Sequence, residues 1–170
     1  KGDPTRESTH EQANFAEAGT AILQAVPGDP ADSDNINLRI CLTIEAIHPE
    51  ILSVVECMLP ENVSFFNRAG CDSVICIASL TGQMMVQELQ DPGVGAIFAE
   101  LTSNREGKQF YMIPLETPPE NYGTLKEQFE KEQVIVLGIR RNEYNHLLPP
   151  PDFQLSETDQ AILIATGRPS

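Results

Sequence analysis

Three short apolar runs, TAILQAV at 20–26, ILSVVECM at 51–58 and DSVICIA at 72–78, alternate with helix-like segments, and this alternation narrows the fold more than any other feature of the chain. ILSVVECM is nearly continuous in apolar residues, as expected of a parallel strand covered on both faces. PGDP after the first run is a turn signal. DSDN then opens a helix in which Ile36, Ile40, Ile44 and Ile47 recur at helical spacing, and His48-Pro49 ends it. A shorter helix, PENVSFFNRAG, begins with Pro60 and closes on Gly70. Strands joined by helices over short loops imply right-handed crossovers and a parallel sheet. Ahead of the first run, Thr5 is expected to cap a short helix over 6–14.

After residue 78 the rhythm changes. Residues 79–90 form an amphipathic helix carrying Leu80, Met84, Met85 and Leu89, DPG at 91–93 breaks it, and a second helix runs over 94–101 with Ile97 and Phe98 on its face. Two helices meeting at a tight turn do not continue a sheet; they read as an arm that crosses to something else. Leu80, Met84, Met85 and Phe98 are its candidate pairing surface, with plain intrachain core as the alternative. FYMIPL is a strand, LETPPENYG a proline-rich loop and TLKEQFEKE a charged helix. VIVLGIRR, NEYNHLLPPP and AILIATG read as strands of a small antiparallel lobe, with a hairpin turn at Asn142-Glu143. The expected organisation is therefore α/β: a Rossmann-like parallel lobe over 1–78, a helix-turn-helix crossover over 79–103 and a small α+β lobe over 104–170. The boundary between crossover and lobe falls at SNREGKQ.

The net charge of −14 argues against nucleic acid, whose phosphates would be repelled. The apolar runs are too short to cross a bilayer. Four cysteines show no CxxC spacing, and three sit among apolar neighbours, so buried free thiols are expected. Three scattered histidines make a zinc site improbable. No nucleophile, base and orienting group can be assembled from sequence context, so no catalytic residues are assigned and the chain is not expected to be an enzyme. No GxGxxG occurs, and GVG at 93–95 lies between helices instead of after a strand. Gly2-Asp3 reads as a strand's carboxyl end followed by three helix–strand units. Lys1 is accordingly read as the tail of the third strand of a six-stranded sheet. Such a sheet, without its first strands, would show a bare edge.

Several segments resemble RCK domains, the regulators of potassium conductance. GDPTRESTHEQANFAEAGTAIL is similar to their GD-x-T segment, and NRAGCDSVI to the segment before their sixth strand. SLTGQMMVQELQDPGVGAIFAEL is similar to their crossover, and VIVLGIRRNEYNHLLPPPDFQLSETDQAILIATG, with I-x-R and P-x-x-D-x-x-L landmarks, to their C-terminal lobe. The resemblance implies a cytoplasmic ligand-sensing and assembly domain of a gating ring, pairing with itself through the crossover helices and acting on a potassium channel pore. A peripheral subunit of a Trk-type potassium uptake transporter is the alternative, and a fragment of an NAD-linked oxidoreductase a more distant one. NAD, another nucleotide or a divalent cation such as calcium is the implied ligand.

For nucleotide, the resemblance and the strand-end position point to Gly2 and Asp3, with a helix-cap or turn role as the competing account for Asp3; Asp34 and Asn35 at the next helix start are further candidates. For a cation, Asp29 and Asp32 join Asp34 in an oxygen-rich loop that lacks the EF-hand glycine and glutamate; a solvated helix cap is the competing account. Calcium-gated relatives place carboxylates at positions that read Gln24, Glu56 and Met58 here, so only Glu56 retains one.

Overall fold

The computed structural model describes residues 2–103 and 107–169, which fall into two compact units, Lys1–Gln90 and Asp91–Ser170. Lys1, read above as the end of a strand, lies outside the described residues, as does 104–106 of the expected SNREGKQ boundary. Gly2 and Asp3 belong to no strand.

The first unit is a parallel sheet of β1 (Thr20–Leu23), β2 (Leu52–Cys57) and β3 (Ser73–Cys76) in that spatial order, with Ile22 opposite Val54 and Val55 opposite Val74. Helix α1 (Glu7–Gln12) and a 3-10 turn at Phe15–Glu17 precede it. Thr5 does not cap α1: Arg6 occupies the cap without a side-chain bond, while the Thr5 N–H and hydroxyl both donate to Asp3 Oδ1, at 3.0 and 2.7 Å. A short side chain two residues past an aspartate closes an Asx turn more readily than it reaches into the next helix. Helix α2 (Pro30–Ile47) joins β1 to β2. It starts earlier than DSDN suggested, because Asp29 accepts from Ala31 N–H and Asp32 N–H and Pro30 supplies the preset first position. A 3-10 turn at Pro60–Asn62 and α3 (Val63–Arg68) lead to β3.

The core of this unit lies between one sheet face and α2 and α3: Ala21, Leu23, Val55 and Cys57 from the strands meet Cys41, Ile44 and Phe66 from the helices. The opposite face leaves Ile22, Leu52 and Ile75 exposed, so the strands are not covered on both sides as their apolar runs suggested. Cys41 and Cys71 are joined as a disulfide and only Cys57 and Cys76 are free, which corrects the expectation of four thiols. Spacing along the chain hid this pair; it forms because α2 and the turn before β3 bring the two Cα atoms to 6.3 Å. Helix α4 (Ile77–Gln90) begins directly after β3, taking two residues assigned above to the strand; no turn residue separates strand from helix.

The second unit comprises α5 (Val94–Leu101), β4 (Gln109–Pro114), α6 (Tyr122–Glu130), β5 (Ile135–Arg141), β6 (Tyr144–Leu147) and β7 (Gln160–Ala165). Its antiparallel sheet has the order β4-β7-β5-β6. Asn121 caps α6 by accepting from Thr124 N–H, and Tyr122 and Leu125 reach the core formed with Val136, Ile139, Ala161 and Leu163. The hairpin turn falls at Asn142-Glu143 as expected, with Asn142 in the left-handed region. Strand β6 is shorter than NEYNHLLPPP: Leu148 adopts a positive φ, and the prolines that follow cannot extend a ladder. Among the described residues no helix is long and apolar enough to cross a membrane.

Candidate functional site

The carboxyl ends of β1 and β2 gather the polar side chains that the sequence singled out. Two turns of α2 bring Ser33, Asp34 and Asn37 over these ends, and all three are buried. The Asp34 carboxylate, only 2% exposed, accepts from Met58 N–H at 2.8 Å, Leu59 N–H at 3.0 Å and Asn62 Nδ2 at 2.8 Å. The Cys57 thiol also reaches it, at 3.7 Å. Burial first, and the Asp34 charge second, push the Cys57 thiol up to about 12. Asn37 Nδ2 donates to the carbonyls of Gln24 and Glu56, tying the two strand ends together. Glu56 Oε2 accepts from Ala25 N–H at 2.7 Å, and Ser33 Oγ accepts from Val26 N–H at 2.9 Å. Beside this network, a cavity of about 160 Å³ is lined by Asp34, Asn35, Leu38, Asn62, Phe65 and Phe66.

The arrangement consumes most of the expected ligands. Asp34 is a hub for loop backbone, Glu56 is held by a backbone amide and Asp29 is spent on the α2 cap. Asp32 is exposed. Among the described residues no group of three or more His, Cys, Asp or Glu is arranged to hold a metal ion, and Asp29, Asp32 and Glu56 do not converge. Asn35 lies within α2, not at its first position, and is exposed at the rim of the cavity. Asp3 is exposed, bonded to Thr5 and paired with Arg6 at 3.4 Å, and the Thr5 hydroxyl and N–H hold its carboxyl below the usual carboxylate value. Gly2 sits against Thr9, where a Cβ would overlap the threonine side chain.

Sequence reasoning missed Ser33, Asn37 and Asn62. The signal for the first two was present: Ser33 and Asn37 stand four apart, in line with Cys41 and Ile44 on the buried side of α2. Polar residues set in an apolar stripe mark a buried network.

The expected pairing surface is placed differently from a core. None of the fourteen residues of α4 is buried. Met85 is 69% and Leu89 83% exposed, Val86 and Leu80 are also exposed, and Met84 is half-buried. On α5, Ile97 is exposed and Phe98 half-buried.

No family model matches the chain. Its sequence is 24% identical over 168 residues to the provisionally named potassium channel protein YugO of Bacillus subtilis strain 168, covering 96% of this chain and 51% of that protein. The chain thus spans about half the length of the curated relative it matches. Among solved structures, the human SLO3 gating ring superposes with a TM-score of 0.78 at 15% identity, over 98% of this chain and 36% of the other. The GsuK RCK domain is 24% identical over 97% of this chain and 34% of its own, with a TM-score of 0.47. The gating-ring likeness shows the fold: a Rossmann-like parallel unit followed by a small α+β lobe, as the RCK resemblance implied.

Proposed function

We propose that this chain is a cytoplasmic ligand-sensing and assembly domain that pairs with a second copy and regulates the conductance of a potassium channel. The observation that carries the reading is the bare apolar side of α4. On α4, Met85, Val86 and Leu89 fall within about 100° of one another around the helix axis, and with no residue of the helix buried they form a face that water disfavours and that a partner helix would cover. Methionines at such a face suit an interface that must repack between two shapes. The sequence similarity to a potassium channel protein and the gating-ring fold supply the context for what the pair would regulate.

For the sensed ligand, Asn35 is the member of the expected set whose side chain stays exposed at a cavity rim, while Asp34 is engaged by protein donors. A space of about 160 Å³ accommodates part of a nucleotide, well below the several hundred Å³ of a typical whole-ligand pocket. The test is calorimetric titration with NAD, ATP and calcium in separate runs, with the self-association constant measured with and without each compound. A sensing domain binds at least one of them and changes its association constant by the same factor by which association changes the affinity. No heat with any of the three and an unaltered association constant would remove the sensing half of the proposal.

A further inference from the structure

Helix α3 is held to the first unit by few contacts. It has six residues, no side-chain cap at its start and one buried side chain, Phe66. A helix this short does not persist on its own propensity and depends on packing. Polar side chains tie down both flanks. Before the helix, Asn62 Nδ2 donates to Asp34 Oδ2 at 2.8 Å. After it, Ser53 N–H donates to Asp72 Oδ2 at 2.7 Å, and Asp72 N–H donates to Ser53 Oγ at 3.1 Å. Between these anchors, Phe66 and the Cys41–Cys71 bond attach the segment to the core.

That bond joins the two walls of the cavity beside the Asp34 network. Asp34, Asn35 and Leu38 line the cavity from α2, and Asn62, Phe65 and Phe66 line it from the 3-10 turn and α3. Cys41 lies one turn beyond Leu38 on α2. Cys71 follows the end of α3, where its N–H donates to the Phe66 carbonyl at 3.2 Å. The surroundings suit the pair bonded or open. Cys41 is fully buried and Cys71 is 8% exposed, in a cluster with Ile44, Val55 and Phe66. Two free thiols there are small apolar groups that such a core accommodates. The β2–β3 ladder and the Ser53–Asp72 bonds do not pass through the sulfurs, so opening the bond leaves the sheet in place and loosens α3.

We propose that Cys41–Cys71 is a reversible redox staple: a low-molecular-weight thiol–disulfide couple opens and closes it, and its state sets whether α3 is held against α2 as a wall of that cavity. The inference rests on the cytoplasmic reading for its setting, because disulfides in reducing compartments are characteristically transient and catalytic or redox-sensing. In the opening direction, a thiolate of the couple attacks Cys71 Sγ, the less buried sulfur, once the end of α3 lifts. The bond to Cys41 breaks, and the departing Cys41 thiolate takes a proton. A second thiolate attacks the outer sulfur of the mixed disulfide. Cys71 leaves as a thiolate and takes a proton, and the small disulfide departs. Two small thiols are oxidised and one protein disulfide is reduced; closure is the same sequence reversed.

The test brings the 170-residue chain to equilibrium with glutathione, starting from the oxidised and from the fully reduced form. Alkylation after an acid quench, read by mass spectrometry, gives the state of Cys41 and Cys71, and amide exchange is followed on the same samples. The proposal predicts that reduced glutathione at about 10 mM, which structural disulfides resist, opens the bond, and that oxidised glutathione closes it again. The N–H groups of Ala69 and Cys71, bonded to the Phe65 and Phe66 carbonyls, are expected to exchange at least about tenfold faster in the reduced chain, with β2 amides changing less than about twofold. Cys41→Ser is expected to show the fast exchange without any reductant and no response to glutathione, while Cys76→Ser, outside the pair, keeps both responses. A bond that stays closed in reduced glutathione, a reduced chain that does not close, or α3 exchange equal in the two states would each overturn the proposal. These readings involve neither self-association nor a sensed ligand, so the staple and the proposed function fail separately.

Discussion

Removing the Asp34 carboxylate takes the shared acceptor from three nitrogen donors and a thiol around a buried side chain. Asp34→Ala is expected to cost about 2–4 kcal/mol, because each donor left unpaired keeps its desolvation penalty; urea unfolding measures it. The thiols differ in reactivity for the same local reasons. Cys57, buried and raised to about 12 by burial and by the neighbouring Asp34 charge, should resist iodoacetamide at pH 8, while the half-buried Cys76 is alkylated first. Mass spectrometry of the peptides reads the order. In the small lobe, Arg141 holds Asp159 through two 2.8 Å bonds, from Nε and Nη2, and Ser156 N–H adds a third at 2.9 Å. The Arg141 hydrogen bonds outweigh the opposing effect of burial and lower the Asp159 carboxyl. A carboxyl lowered on folding contributes stability that is complete above its unfolded value, near 4, and is lost as pH falls through the lower folded value. Stability should therefore decline below about pH 4. Arg141→Met should flatten that decline and cost about 2 kcal/mol near neutrality, modest because the guanidinium is 35% exposed. Thermal unfolding across pH checks both.

At the scale of elements, legibility tracked how local the cause was. The bodies of α2 and α6 show in the sequence, α2 through the spacing of Ile36, Ile40, Ile44 and Ile47, but their starts do not, since the capping bonds of Asp29 and Asn121 place each start ahead of the segment read as helix. The hairpin at Asn142-Glu143 shows because a polar pair separates two apolar runs. The start of α4 did not show, since nothing between Cys76 and Ile77 punctuates the chain. The Cys41–Cys71 pair and the Asp34 network were also hidden, as both depend on packing between residues more than twenty positions apart. Gly138 belongs to this second group. In β5 it lies against β6, where a Cβ would overlap the His146 carbonyl oxygen, a backbone atom that cannot swing aside. Gly138→Ala is expected to destabilise the small lobe by about 1–3 kcal/mol, seen as a lower urea midpoint.

On the scale of the whole molecule, two compact units each carry a buried core, yet α4, at the end of the first, contributes nothing to either. The expectation of a crossover came from two helices meeting at the DPG turn, and spacing alone left Leu80, Met84, Met85 and Phe98 open between a pairing surface and intrachain core; the exposure of Met85 and Leu89 supports the pairing proposed above. The most direct measurement of the central claim is sedimentation equilibrium of the chain beside a Met85→Glu, Leu89→Glu double variant, at micromolar concentration. The account predicts a dimer for the parent and a monomer for the variant, with equal thermal stability of the separated chains because both side chains are solvent-exposed. A parent chain that stays monomeric, or a variant that dimerises as strongly as the parent, would contradict it.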